Sequence, residues 1–279
     1  MSTSGRTIVK HILDKTLRAG LLLLLTCTAT GAGAGMVETA VDYRVGDRTH
    51  RGFFYHDDAT DRDRPLLLLY PNWLGTTRAN RAQAAEIAGQ DYVVFVADMY
   101  GAESQPADTE AAGAAVGGLY GDRAELRKRA ATAQRQAISA ADREDLPVRE
   151  GQIAAIGFCF GGATVLEMAR DGAELAAVVS LHGNLALEAE APAPRIRTRI
   201  LALHGDADPY VPPEQVEAFV SEMREHKPDW QLVSYGGAVH SFTDPHADQP
   251  GAAMYDEKIA RRAFASMRDF LNESFSATP

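Results

Sequence analysis

Cysteine is nearly absent from this chain of 279 residues: Cys27 and Cys159 are the only two. A pair so far apart, with Cys27 in an N-terminal segment that reads as a leader, makes no disulfide framework. No C-x-x-C or H-x-x-x-H spacing supports zinc, and no metal or organic cofactor is expected. Positive charge is short as well. The 28 Lys and Arg stand against 38 Asp and Glu, a net charge of −10. Nucleic-acid binding wants a basic face, so no nucleic-acid partner is expected. The acidity favours solubility and repels anions at long range. The apolar run Leu21–Leu25 is too short for a transmembrane helix, which needs about 20 residues. No Gly/Ser linker and no internal repeat divides the chain. What is present, 46% hydrophobic and 24% charged residues, describes an ordinary globular protein and argues against disorder. One folded domain, residues 36–276, is the economical reading.

Residues 1–35 stand apart. Arg6, Lys10, Lys15 and Arg18 precede the leucine run, and small residues follow, with Ala32 and Ala34 in an A-x-A arrangement. That is the layout of a secretory signal peptide and implies an exported, periplasmic protein. A second reading starts translation at Met36, makes the upstream segment a mis-assigned start and leaves the protein cytoplasmic. A third is an uncleaved anchor. In each reading these residues stay outside the fold.

From Met36 onward strand-like and helix-like patterns alternate. Short apolar runs at 64–71, 91–101, 151–158, 175–183, 198–210 and 230–237 read as strands, several of them buried on both faces. Segment 51–56 reads as a further strand. Helical patterns lie near 77–89, 107–116, 120–141, 161–172, 212–227 and 252–275, with a break at Gly117–Gly118. Alternation at this spacing predicts an α/β fold, a mostly parallel sheet with helices on both faces.

Gly157-Phe-Cys-Phe-Gly161 sits where an apolar strand meets a helix. It fits the nucleophile elbow G-x-Nu-x-G, in which a strained turn lifts the central side chain. Glycines let strand and helix approach closely. The helix N-terminus points its N–H groups and positive dipole end at the sulfur, which favours thiolate. Cys159 is therefore the candidate nucleophile. A thiol nucleophile needs a base and a group that orients it. Asp206 and Asp208 both follow a strand in "HGDADPY"; Asp208 is the candidate acid and Asp206 the residue that orders the turn. His240, in the loop after the last strand, is the candidate base. His182 and His204, each ending a strand, read as packing or loop-ordering residues.

On "GFCFGG", "HGDADPYVP", "YGGAVHSFTDP", "LLYPNWLG", "VADMYG" and the C-terminal helix pattern, the chain resembles the dienelactone hydrolase family of α/β-hydrolases over about residues 36–276. The resemblance implies a Cys159–His240–Asp208 triad. It also implies an oxyanion hole made by the backbone N–H groups of Phe160 and Trp73. Two positions depart from the family. Asn72 stands where the family has a glutamate that exchanges a proton with the cysteine. Asp244 stands where it has an arginine that holds the substrate carboxylate. Both departures argue against dienelactone itself as substrate and leave acyl transfer intact. Asn72, Ser241 and Asp244 are the candidate substrate-binding residues. The expected activity is hydrolysis of a small ester or lactone. Two rival readings are a broader carboxylesterase or thioesterase on the same triad, and a non-catalytic redox-sensing or ligand-binding relative. The oligomeric state has no signature in the sequence.

Overall fold

Leu66–Tyr70, four leucines and a tyrosine, has no polar side to offer water. It forms the body of β3 (Arg64–Tyr70), and all five side chains are fully buried. The computed structural model describes residues 35–186 and 196–277. The leader, apart from Gly35, lies outside the described residues. From Ala34 onward the chain forms one compact unit.

Eight strands build the main sheet: β1 (Met36–Val45), β2 (Arg48–Asp57), β3, β4 (Val93–Val96), β5 (Val148–Phe158), β6 (Ala177–Leu181), β7 (Arg199–Gly205) and β8 (Trp230–Tyr235). Their order is β1-β2-β4-β3-β5-β6-β7-β8. β1 and β2 form an antiparallel hairpin that joins β4 antiparallel; β4, β3 and β5 to β8 run parallel. Parallel strands need crossovers, and helices supply each of them except that from β6 to β7, where the described residues hold none. Alternate side chains of β3 divide between two cores. Leu66, Leu68 and Tyr70 pack with α3 (Arg123–Arg143), α4 (Phe160–Arg170) and α5 (Pro213–His226); Leu67 and Leu69 pack with α1 (Arg78–Ala88) and α6 (Glu257–Ala277). This is the α/β-hydrolase arrangement, a mostly parallel sheet with helices on both faces.

Some boundaries differ from the sequence reading. Helix α2 (Thr109–Gly121) runs through Gly117 and Gly118. Two helical glycines cost about 1 kcal/mol each, and packing of Ala112 and Leu119 into the core offsets that. The break falls at Asp122, whose side chain accepts from the Glu125 N–H and caps α3. The last helix starts at Glu257. Residues before it form a two-stranded ribbon, β9 (Asp248–Gln249) with β10 (Ala253–Met254). Among the described residues, no helix is long and apolar enough to cross a membrane.

Candidate active site

The residues singled out by the motifs follow the C-terminal ends of parallel strands, where open α/β sheets place their ligands. Asn72 and Trp73 follow β3, Cys159 follows β5, Asp208 follows β7, and His240 follows β8. The register aligns these ends: Tyr70 pairs with Gly157, Phe158 with Leu181, and Gly205 with Tyr235.

Cys159 stands alone between β5 and α4, at φ 54° and ψ −114°. A non-glycine residue held there stores about 1–3 kcal/mol of strain. The glycines make the turn possible. A Cβ on Gly157 would fall on the Gly161 carbonyl, and one on Gly161 would fall on the Tyr70 carbonyl. Cys159 is partly exposed and forms no side-chain cap on α4. Among the described residues, no acceptor is placed on the N–H of Phe160 or of Trp73.

Asp208 and His240 meet. Asp208 is buried, and its Oδ2 lies 2.7 Å from His240 Nδ1. Its Oδ1 accepts the Tyr210 N–H at 2.9 Å, which fixes the carboxylate plane. Asp206 is exposed, and its own N–H goes to the Tyr235 carbonyl. The His240 loop is pinned by the β9–β10 ribbon: its N–H donates to the Ala252 carbonyl and its carbonyl accepts from Met254. Burial opposes a charge on His240. Hydrogen bonds to Asp208 and to the Cys159 sulfur, with the attraction of both charges, prevail and push its pKa up to about 10. At neutral pH the His240 ring is therefore an imidazolium beside the Asp208 carboxylate.

Sequence reasoning gave His182 only a packing or loop-ordering role. It sits at φ 42° just after β6, the strand next to β5. The Cys159 N–H donates to the Leu181 carbonyl at 3.0 Å and is shared with His182 Nδ1 at 3.2 Å, and His182 Nε2 lies 2.8 Å from Thr243 Oγ1. Since Nδ1 accepts, the proton is on Nε2 and goes to the threonine. Burial, then repulsion from His240, holds its pKa well below the usual value, so the ring stays neutral. Tyr100 and Tyr120 were also missed. Both pack on Phe160, and burial followed by the nearby Cys159 charge raises both hydroxyls. Tyr100 donates to the Trp73 carbonyl at 2.8 Å, which steadies the loop carrying that N–H. Tyr210 stands edge-on to His240 at 5.2 Å. Only the strand order brings these groups together, so no local motif announced them.

The Asn72 side chain is engaged next to its own loop. Its Oδ1 accepts the Leu74 N–H at 3.0 Å and the Asn80 Nδ2 at 2.8 Å, which ties the β3 loop to α1. Asn72, Ser241 and Asp244 line one cavity of about 520 Å³ with Phe158 and His182. Cys159 and His240 do not line it, so this cavity flanks the sulfur rather than containing it. Asp244 Oδ1 accepts the His246 N–H at 2.9 Å. Among the described residues, no three His, Cys, Asp or Glu side chains are placed to hold a metal ion.

Comparison with known proteins identifies the family. The pattern of the dienelactone hydrolase family matches residues 51–275. The crystal structure of a dienelactone hydrolase-like promiscuous phosphotriesterase from metagenomic libraries is similar at 38% identity and a TM-score of 0.77, covering 86% of this chain and 98% of that one. An uncharacterized protein of Caenorhabditis elegans is 36% identical over 135 residues, 46% of this chain and 84% of its own. A probable 2-oxo-3-(5-oxofuran-2-ylidene)propanoate lactonase of Bradyrhizobium sp. is 25% identical over 198 residues, 66% of this chain and 75% of its own. The chain belongs to the dienelactone hydrolase family and is a hydrolase acting on ester bonds.

Proposed function

We propose that residues 36–276 act as one catalytic domain that hydrolyses small neutral esters or lactones through a Cys159–His240–Asp208 triad and a thioester acyl-enzyme. The observation that carries this reading is the 2.7 Å Asp208–His240 contact beside a sulfur raised on a positive-φ turn. Asn72 has no ionisable proton to exchange, which leaves His240 as the acid–base partner of the Cys159 sulfur. The thiolate attacks the carbonyl carbon. The N–H groups of Phe160 and Trp73 receive the oxyanion, and each such donor is worth about 3–4 kcal/mol in related chemistry. The tetrahedral intermediate collapses, the C–O bond breaks, and His240 gives its proton to the leaving alkoxide. The neutral imidazole then takes a proton from water, and the hydroxide attacks the thioester. The acid leaves and the thiolate–imidazolium pair returns. Asp208 keeps His240 in the tautomer that both steps need.

Neutral substrates are favoured by Asp244, which stands where an anionic group would otherwise be held. The experiment is a panel of neutral lactones, neutral aryl esters, a neutral phosphotriester and carboxylate-bearing lactones. Wild type, Cys159→Ala and His240→Ala are compared on each. Turnover of neutral esters or lactones that both substitutions abolish supports the reading. Turnover that survives Cys159→Ala, or a tenfold preference for the carboxylate series, contradicts it.

A further inference from the structure

Arg64 lies at the opposite end of the sheet from Cys159. It opens β3 where the parallel strands begin, about 20 Å of strand from the Tyr70 end. Its side chain is 1% exposed, and Nε and both Nη atoms have no hydrogen-bond partner. A guanidinium does not give up its proton at physiological pH. A buried charge left without a partner is costly. The position therefore calls for an anion.

The surroundings call for the same thing. Arg64 lines a cavity of about 420 Å³ with Arg62, Arg149 and Arg268, so four arginines converge there on a chain with net charge −10. Two of them are also oriented by neutral acceptors. Arg62 Nη2 donates to the Gln90 carbonyl at 2.8 Å, and Arg149 Nη2 donates to the Asp63 carbonyl at 2.8 Å. Arg149 Nη1 also donates to Gln152 Oε1 at 3.0 Å. The charge of Arg268 reaches the Tyr92 hydroxyl on the cavity wall. Asp91 is the carboxylate among the described lining residues. It is 73% exposed and 3.9 Å from Arg62, a rim contact that does not reach Arg64.

We propose that Arg64, Arg62, Arg149 and Arg268 form a binding site for a phosphate-class dianion, free or carried on a small phosphomonoester. Guanidinium forks match the oxygens of a phosphoryl group, and several forks can share its three or four oxygens. A single carboxylate offers two oxygens and would leave most of the donors unused. The cavity also leaves space beyond one phosphate for the organic part of a monoester. No residue of it belongs to the loops that hold Cys159, Asp208 or His240, and of its four arginines Arg268 alone also lines the cavity beside them.

Isothermal titration and thermal melts with the full chain test the site, using inorganic phosphate and glycerol 2-phosphate, with sodium chloride at matched ionic strength as control. The expected result is saturable one-to-one binding and a melting temperature that rises with phosphate and not with chloride. Arg149→Gln, an exposed position, should fold, retain ester turnover, and bind about tenfold more weakly, the loss of one charge-assisted contact. Arg64→Met should abolish binding and melt higher than wild type in chloride, since the unpartnered charge is gone. Tighter binding of the monoester identifies an esterified ligand, and equal binding identifies free phosphate. No saturable binding of either compound, or affinity unchanged in Arg149→Gln, overturns the proposal even if Arg64→Met fails to fold.

Discussion

Replacing Asp208 by asparagine keeps the shape of the side chain and removes its charge. His240 is held at about 10 against an ordinary value of 6.5. At about 1.4 kcal/mol per pKa unit, the imidazolium gains roughly 5 kcal/mol net of the burial that opposes it. Asp208 and Cys159 share that gain. An adjacent opposite charge is worth about 1–3 units, so Asp208→Asn should lower the His240 pKa by about 2 units. In the proposed mechanism the imidazolium is the acid, so activity should fail when it loses its proton. The alkaline limb of kcat/KM should therefore move from near pH 10 to about pH 8. The rate should also fall by up to about 10⁴-fold, because the amide no longer enforces the tautomer. Stability follows the same sign. A folded-state pKa raised above the unfolded one stabilises fully below about pH 6.5, and that stabilisation is lost as pH rises through about 10. Asp208→Asn should flatten this decline. The assay is kcat/KM for a neutral activated ester from about pH 6 to 11, corrected for spontaneous hydrolysis, beside urea melts at matched pH. An alkaline limb at the same pH in both proteins would refute the reasoning.

Other substitutions test other parts of the account. Gly161→Ala places a methyl group on the Tyr70 carbonyl, so the elbow must open; loss of activity with a destabilisation of about 1–3 kcal/mol is expected from chemical denaturation. His182→Ala leaves the Thr243 hydroxyl without its buried partner and should cost about 1–3 kcal/mol of stability, read from the same melts. Arg170 donates to Glu167 and, with two nitrogens, to Glu222, all three buried. Arg170→Met should therefore destabilise by about 3–5 kcal/mol, because Glu222 loses its partner in the interior. Asp244→Arg should narrow or invert a preference for neutral over carboxylate-bearing lactones, a change of about 1 kcal/mol or more, seen as a ratio of kcat/KM values.

What the sequence disclosed was what short-range patterns encode. Leu66–Tyr70 can only be a strand buried on both faces, and Gly157–Gly161 can only turn sharply because residues without Cβ stand at each end. Asp208 and His240 were singled out because each follows a strand in the chain order of this fold, and the two side chains meet. The remainder depends on which strands are neighbours. His182 reaches the Cys159 N–H because β6 lies beside β5. Tyr120 reaches Phe160 across two helices. Arg64 begins an apolar strand, and no local signal marks it as buried rather than exposed. The helix break went to Asp122 instead of the glycine pair because a capping carboxylate and core packing outweigh local propensity. Residues 252–256, with β10 among them, were read as helix because the pairing of Ala253 with His240 is a long-range fact.

The central claim is that Cys159 carries the acyl group. The most direct measurement is mass spectrometry of the protein quenched in acid during turnover of p-nitrophenyl acetate, followed by peptide mapping. The account predicts one acetyl group on the peptide containing Cys159, released by neutral hydroxylamine as a thioester should be. It should accumulate further in His240→Ala if the enzyme is acylated at high pH, because no base remains to activate water. An acetyl group on another residue, or steady turnover by Cys159→Ala at the wild-type rate, would contradict the account.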